Sequence, residues 1–539
     1  MVFPRPRKWC AGALLAAALA RQGALAQPVE QWGRYEGVLR GPSDGNPFTD
    51  VQVSARFVHG SRTVAVAGFY DGDGVYRIRF MPEEAGEWRY ETQSNRAELN
   101  GQTGRFIAVV PRPGNHGPVR VAHTYHFAYA DGTPYRELGT TAYSWVHAGP
   151  ERAALTLRTL AASPFNKLRM CVLPRADSAV QPTDRHFPFP GTPPRNWDVT
   201  RFNPEFFRAI EQRVGQLQDL GIEADLILFH PYDPTWGFSN QDAASDDRYL
   251  RYVVARFAAY RNVWWSLANE YDLIRTKQES DWDRMFQLVQ ASDPYGHLRS
   301  IHNSRLIYNQ TQPWVTHVSM QNGAAVEDPD RAELYRDVYR KPVVYDEVKY
   351  EGNITQRWGQ LSGEELVERF WSGVVAGTYV GHSEIFAGAG SSWLLDGGEL
   401  IGQSPPRLAF LRAVMEAGPA EGLEPIDKWQ DRRMGGQPGR YYLLYFGQTA
   451  PRAWPFLLYR EGLKNGLRFK IDLLDTWAMT TTPVPGTFVT RQQDNYTFAD
   501  AEGKAVALPG RPYLALRIQR LVNAGSAAAR AGTILAPSP

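Results

Sequence analysis

Between about residues 119 and 422, short apolar runs alternate with stretches of helical periodicity, and that alternation restricts the middle of the chain to parallel βα architectures. One helix is expected at Asn203-Pro204, a cap followed by proline, with Phe206, Phe207, Ile210, Val214 and Leu217 on one face and Gly221 at its end. The apolar run Ala224-Asp225-Leu226-Ile227-Leu228-Phe229 follows at once. A second helix is expected from Ser245, feeding Val263-Trp264-Trp265-Ser266-Leu267, and a third opens with the capping box Ser362-Gly363-Glu364-Glu365. Candidate strands fall near 136–146, 166–173, 223–230, 262–268, 298–303, 314–320, 342–346 and 378–386. Eight strands fit an α/β fold of the (β/α)8 type, the TIM barrel, whose chemistry sits at the C-terminal strand ends. A doubly wound open sheet is disfavoured, because no Gly-rich phosphate loop follows the first strand.

The flanks read differently. Residues 27–118 and 423–522 alternate at period two between Gly, Asn and Asp turns, as in Val75-Tyr76-Arg77-Ile78-Arg79-Phe80 and Phe469-Lys470-Ile471-Asp472-Leu473-Leu474. Two all-β sandwich domains are expected there, on either side of a barrel over 119–422. Residues 523–539, rich in Ala, Gly and Ser, read as a flexible tail.

Residues 1–26 read as a secretory signal peptide: Arg5, Arg7 and Lys8 precede the apolar run 11–20, and Ala24-Leu25-Ala26 offers a cleavage site. That predicts a secreted or periplasmic protein. No later segment is long and apolar enough to insert in a membrane. The whole chain has 59 basic against 57 acidic residues, so it presents no strong field for nucleic acid. Losing Arg5, Arg7, Lys8 and Arg21 turns the net +2 into −2. Cys10 leaves with them, and Cys171 then stands alone in an apolar segment, as a buried free thiol.

Two strand ends carry the chemistry. The fourth candidate strand finishes Ala268-Asn269-Glu270 and the seventh Tyr345-Asp346-Glu347, each placing a carboxylate at the barrel mouth. Such charges are costly unless solvated, paired or used. Paired with basic neighbours such as Lys349 they would be structural caps. Bracketing a sugar, they would be the two carboxyl groups that glycosidic cleavage with retention needs, about 5–5.5 Å apart. Asp346 is a competing nucleophile, although strand parity sends it to the opposite face from Glu347.

These residues are similar to those of the clan A glycoside hydrolases, which are retaining (β/α)8 enzymes. Within that clan the middle block resembles the apiosidase-like hydrolases. The matching stretches are Tyr129-Ala130-Asp131-Gly132-Thr133-Pro134, Gly139-Thr140-Thr141-Ala142-Tyr143-Ser144-Trp145, Phe229-His230-Pro231-Tyr232-Asp233, Trp265-Ser266-Leu267-Ala268-Asn269-Glu270-Tyr271-Asp272 and Tyr345-Asp346-Glu347. The N-terminal block, with Gly41-Pro42-Ser43-Asp44-Gly45-Asn46-Pro47-Phe48, is similar to an uncharacterised module that precedes such barrels. The resemblance implies Glu270 as acid/base, Glu347 as nucleophile and Asn269 as partner of the sugar 2-hydroxyl.

Further candidates lie near the strand ends. His230, His302 and His382 suit hydrogen bonds to sugar hydroxyls or to the glutamates, as does Gln321 just after the sixth strand; Glu384 is a third carboxylate. Tyr143, Trp145, Tyr232, Trp236 and Trp393 are the candidate stacking surfaces for sugar rings, whereas Trp264 and Trp265 read as core. No His-x-His follows the first strand and no His-Glu-x-x-His helix exists, so no metal and no cofactor are expected. The expected function is therefore an exported retaining glycoside hydrolase acting on poly- or oligosaccharides, with a carbohydrate as its partner. The alternative is a non-catalytic carbohydrate-binding protein on a degenerate barrel. The sequence sets no oligomeric state.

Overall fold

The computed structural model describes residues 28–521 except 180–186, 322–325, 328, 389–391 and 427–432. The expected signal peptide and tail therefore lie outside the described residues. The middle of the chain closes into a barrel. Its strands are Gly139–Thr141, Lys167–Cys171, Glu223–Phe229, Val263–Ala268, Arg299–Ser300, Val318–Gln321, Val343–Glu347 and Tyr379–Val380, all paired in parallel within two sheets. Thr141 N donates to His382 O (2.9 Å) and Thr316 N donates to Arg299 O (2.9 Å), which joins the two sheets at both seams.

Several strands are shorter than the apolar runs that predicted them. The run 136–146 yields only Gly139–Thr141 before the chain turns into a 3-10 helix at Trp145–His147. The run 378–386 splits into Tyr379–Val380 and Glu384–Ile385, the latter paired with Glu351–Gly352. Burial, not extended pairing, keeps these runs apolar. Helices Pro150–Ala162, Pro204–Asp219, Ala243–Phe257, Glu279–Ser292, Pro329–Tyr339, Gly363–Val375 and Ser404–Glu416 surround the barrel. Asn203 caps the second of these through Glu205 N, and Gly221 follows its end at φ 71°. The expected helix at Ser245 begins earlier, at Ala243, because Asp242 accepts from Ser245 N (2.9 Å) and so takes the cap. The Ser362/Glu365 capping box forms as its sequence requires.

Residues 28–109 form one seven-stranded sheet that folds over on itself into a sandwich. Strand Arg62–Tyr70 makes the fold: it pairs with Val53–His59 as far as Ala67, then with Val75–Phe80 from Gly68. A Cβ at Gly68 would lie 2.8 Å from Val53 Cγ1 and 2.9 Å from Arg77 O, so the bend needs glycine there. The two halves meet through rings such as Phe57 and Phe80, stacked at 4.2 Å. A buried ion network fixes this sandwich to the barrel. Arg79 and Arg256 share Glu211 at 2.5 and 2.7 Å, and Arg256 also reaches Asp71 at 2.9 Å. At the other end, nine strands between Glu424 and Arg520 form an antiparallel sheet that packs on the barrel, with Tyr445 stacked 5.6 Å from Trp371.

The barrel interior is charged where such interiors are ordinarily filled by branched apolar side chains. Lys167 Nζ lies 2.9 Å from Asp346, 3.0 Å from Glu137 and 3.7 Å from Asp225. A buried cation is tolerable only with such compensation. Burial pushes the Glu137 carboxyl up to about 7 and that of Asp225 to about 6, in spite of Lys167. Burial acts on Asp346 too, but Lys167, Arg169 and His302 outweigh it and hold that carboxyl well below its usual range.

Candidate active site

Glu270 stands two residues beyond the end of the fourth strand and Glu347 ends the seventh, and both line one cavity of about 620 Å³. Glu270 adopts φ 46° and ψ 51°, a left-handed conformation that a residue with a Cβ takes only when its surroundings enforce it. Asn269 N donates to Phe229 O and Tyr271 N to His302 O, each at 3.0 Å, so neighbouring strands grip the turn from both sides.

The seventh strand departs from simple alternation. Ser319 pairs with Val344, but Gln321 pairs with Glu347, so one extra residue enters the seventh strand. Parity predicted opposite faces for Asp346 and Glu347. The bulge instead brings both to one guanidinium: Arg169 Nε is 3.8 Å from Asp346 Oδ1 and Arg169 Nη1 is 3.5 Å from Glu347 Oε1.

Between the two glutamates sits Gln321. With its amide nitrogen turned toward them, as its hydrogen bonds require, that nitrogen donates to Glu270 Oε1 at 3.0 Å and to Glu347 Oε2 at 3.2 Å. The surroundings then divide the pair. Burial, reinforced by the charge of Glu347, pushes the Glu270 carboxyl up to about 7. Burial also acts upward on Glu347, but His302, Arg169 and the Tyr143 hydroxyl outweigh it and bring its carboxyl down to about 2. His302 Nε2 is 3.4 Å from Glu347 Oε1, and the Tyr143 hydroxyl donates to the same oxygen. Near neutrality one carboxyl holds a proton while the other is ionised, which is the division that acid–base and nucleophilic work demand.

Residues 122–389 match the apiosidase-like catalytic domain. The structure is similar to that of a candidate glycoside hydrolase from Bacteroides vulgatus, with 41% sequence identity, 92% of this chain and 100% of that chain covered, and a TM-score of 0.88. The chain belongs to the apiosidase-like glycoside hydrolases. A family 5 glycoside hydrolase from Bacteroides vulgatus shares the fold at 15% identity, covering 76% of this chain and 94% of that one with a TM-score of 0.55. Residues 28–95 and 429–519 match two domains of unknown function, DUF5060 and DUF5605. No curated protein matches the chain.

In this glycoside hydrolase the cavity gathers only some of the residues that the sequence singled out. Tyr143, Tyr232, Glu270, Gln321 and Glu347 line it. Asn269 and His302 lie just beneath, the first accepting from Arg169 Nη2 at 2.9 Å. The other candidates are placed elsewhere. Trp145 is fully buried in the hydrophobic core, and Trp236 packs on Phe187 and Phe238 beside a separate cavity. Trp393 donates its indole N–H to Thr140 Oγ1 (2.9 Å). His230 binds Leu173 O at 2.9 Å and accepts from Tyr232 N at 3.1 Å, so it braces the loop that carries Tyr232. His382 stacks on Phe165 and contacts Thr140. Burial lowers both His230 and His382 to about 3, which leaves them neutral. Glu384 accepts from Ile401 N and Gly402 N and lines a second, smaller cavity with Trp393. Trp264 and Trp265 are core residues, their indoles bonded to Glu223 and Asp293.

Sequence reasoning passed over Lys167, Arg169, Arg175 and Trp358. The first two stand at i and i+2 of an apolar strand, which is a period-two signal for one charged face. Arg175 and Trp358 lie on loops and line the cavity, with no local pattern that marks them. Among the described residues no three His, Cys, Asp or Glu side chains converge to hold a metal ion, and no helix is long and apolar enough to cross a membrane. Cys171 is a buried free thiol, which burial pushes up to about 12.

Proposed function

We propose that the chain is an exported retaining glycoside hydrolase in which Glu347 is the nucleophile and Glu270 the acid/base. The observation that carries this reading is the single amide nitrogen shared by two carboxyls of opposite protonation tendency. Its 3.0 and 3.2 Å legs, even laid end to end, keep those two oxygens nearer than the roughly 6.5–9.5 Å that an inverting pair uses to admit a water. That spacing supports direct attack.

In the first step a Glu347 oxygen bonds to the anomeric carbon while the glycosidic C–O bond breaks, and Glu270 gives its proton to the departing oxygen. In the second, Glu270, now a carboxylate, takes a proton from water whose oxygen displaces Glu347 from the same carbon. The anomeric configuration is inverted twice and so retained. Asn269, oriented by Arg169, supports a hydrogen bond to the sugar 2-hydroxyl. Tyr143 and Tyr232 supply ring surface in the cavity for the apolar faces of a poly- or oligosaccharide. Export rests on the tripartite pattern of residues 1–26.

Glu347→Ala is expected to abolish release of reducing ends from a cleaved glycan. Added azide should restore turnover and give the glycosyl azide of the opposite anomer, because it replaces the nucleophile and the second displacement is lost. Wild-type turnover by both Glu347→Ala and Glu270→Ala would overturn the assignment.

A further inference from the structure

The cavity carries positive charge that cleavage of a neutral glycoside does not use. Lys349 and Arg357 both line it, and among the described residues neither forms an ion pair. Lys349 stands two residues beyond Glu347 with φ 67°, a backbone conformation that favours glycine, so the loop holds a lysine where its geometry resists one.

A third cation lies deeper. Arg175 is only 4% exposed and lines the same cavity, with its guanidinium 4.4 Å from the Tyr143 ring centre and 3.9 Å from that of Tyr232. Asp177 accepts from its Nε at 2.9 Å and from its Nη2 at 2.7 Å, while its Nη1 has no hydrogen-bond partner. Of the three carboxyl groups in the cavity, Asp177 is matched by Arg175 and Glu347 by His302 and Arg169, while burial and the charge of Glu347 favour the protonated form of Glu270, so none of them faces Lys349 or Arg357 in an ion pair. Trp358, next to Arg357, is 42% exposed and lines the same cavity, so indole surface and an unpaired guanidinium stand side by side at its mouth.

We propose that this cleft takes a glycan carrying an acidic substituent, a carboxylate or a sulfate ester, held by Lys349 and Arg357 with Arg175 behind them. Both substituents are planar or pyramidal oxyanions that a guanidinium engages through two N–H groups. The proposal deepens the hydrolytic reading of the same site and rests on it for which bond is cut.

The test uses the full chain and digests of acidic polysaccharides, each offered untreated, after chemical reduction of its uronate carboxyls to alcohols, and after desulfation. We expect kcat/KM on the preferred digest to fall at least about tenfold after one of the two treatments, as loss of charge-assisted contacts predicts. The treatment that causes the loss names the substituent. The double variant Lys349→Met/Arg357→Met should raise KM on the untreated digest by a similar factor and flatten its dependence on salt between about 20 and 500 mM. A preferred digest that survives both treatments unchanged, or a double variant with wild-type KM, overturns the proposal.

Binding separates this outcome from failure of the hydrolytic reading. The Glu347→Ala chain is titrated with the same digests. Salt-sensitive binding of an acidic digest by a chain whose wild type cuts no digest, acidic or neutral, leaves this proposal standing and removes the hydrolytic one. Cleavage confined to neutral digests, or no binding of any acidic digest, removes this proposal alone.

Discussion

Lys167 Nζ stands 2.9 Å from Asp346 Oδ1 at the centre of the barrel, with both side chains closed off from solvent. The contact settles what Asp346 is used for. A carboxylate held against a buried ammonium is a counter-ion, and its neighbour Glu347 is the one that lines the cavity. Asp346→Asn leaves Lys167 and Arg169 short of a charge in a dry interior. It should lower the stability by about 3–5 kcal/mol, the usual cost of breaking a buried pair. Urea unfolding of the variant against the wild type measures this; a change within about 0.5 kcal/mol, as for an inert surface site, would contradict the role.

From Asp346 a chain of contacts runs to the proposed nucleophile. Ser319 Oγ donates to Asp346 Oδ2 at 2.5 Å and lies 3.2 Å from His302 Nδ1, and His302 Nε2 faces Glu347. Ser319→Ala removes the link that fixes the imidazole. Glu347 then loses part of what depresses its pKa, so the acid limb of kcat/KM should move upward by about 0.5–1 pH unit, the equivalent of one hydrogen bond. An acid limb that stays in place would show that His302 is held by packing alone.

The pH dependence of the wild type follows from the same pair. Glu270 is raised and works protonated, so kcat/KM should fall as the pH rises through about 7. Glu347 is lowered and works ionised, so the acid-side loss should come only as the pH falls toward about 2. The profile should be broad and flat on its acid side. Glu270→Gln removes the titrating acid, and its residual turnover of aryl glycosides with good leaving groups should show no alkaline limb near 7. An unchanged alkaline limb in that variant would assign the titration to another group.

Gln321 is the remaining hinge between the carboxyls. Gln321→Ala takes a donor from two buried acids at once. At about 1.5–3 kcal/mol for a hydrogen bond to a charged group, kcat/KM should drop about 10- to 100-fold. Steady-state kinetics on the same substrate as the wild type checks it. A wild-type rate would mean that the amide only fills space.

Much of this architecture is legible along the chain because its causes are local. A cap at Asn203, a capping box at Ser362 and the apolar periods between them are settled within a few residues, and the helices appear where those signals stand. Burial of a fully apolar strand is also local, so Val263–Ala268 and Glu223–Phe229 match their runs almost to the residue. The strands that come out short, at Gly139–Thr141 and Tyr379–Val380, are those whose apolar residues turn into loops buried under their neighbours. Hydropathy reports burial there, not extension.

Aromatic candidates show the same limit. Trp145, Trp236 and Trp393 stand near strand ends just as Tyr143 and Tyr232 do, yet only the tyrosines line the cavity. Which side of a loop a ring takes depends on packing partners that are distant in sequence, such as Thr140 for Trp393, 253 residues away.

The amino-acid sequence by itself determined the element types, the flanking β domains and the two strand ends that carry Glu270 and Glu347, because periodicity and capping act between near neighbours. Tertiary structure alone decided that a bulge turns Asp346 and Glu347 toward one arginine, that Gln321 stands between the carboxyls, and that one of them is raised while the other is lowered. Those outcomes depend on charges and donors brought together from separate strands, and electrostatics in a buried site follows distance in space, not distance along the chain.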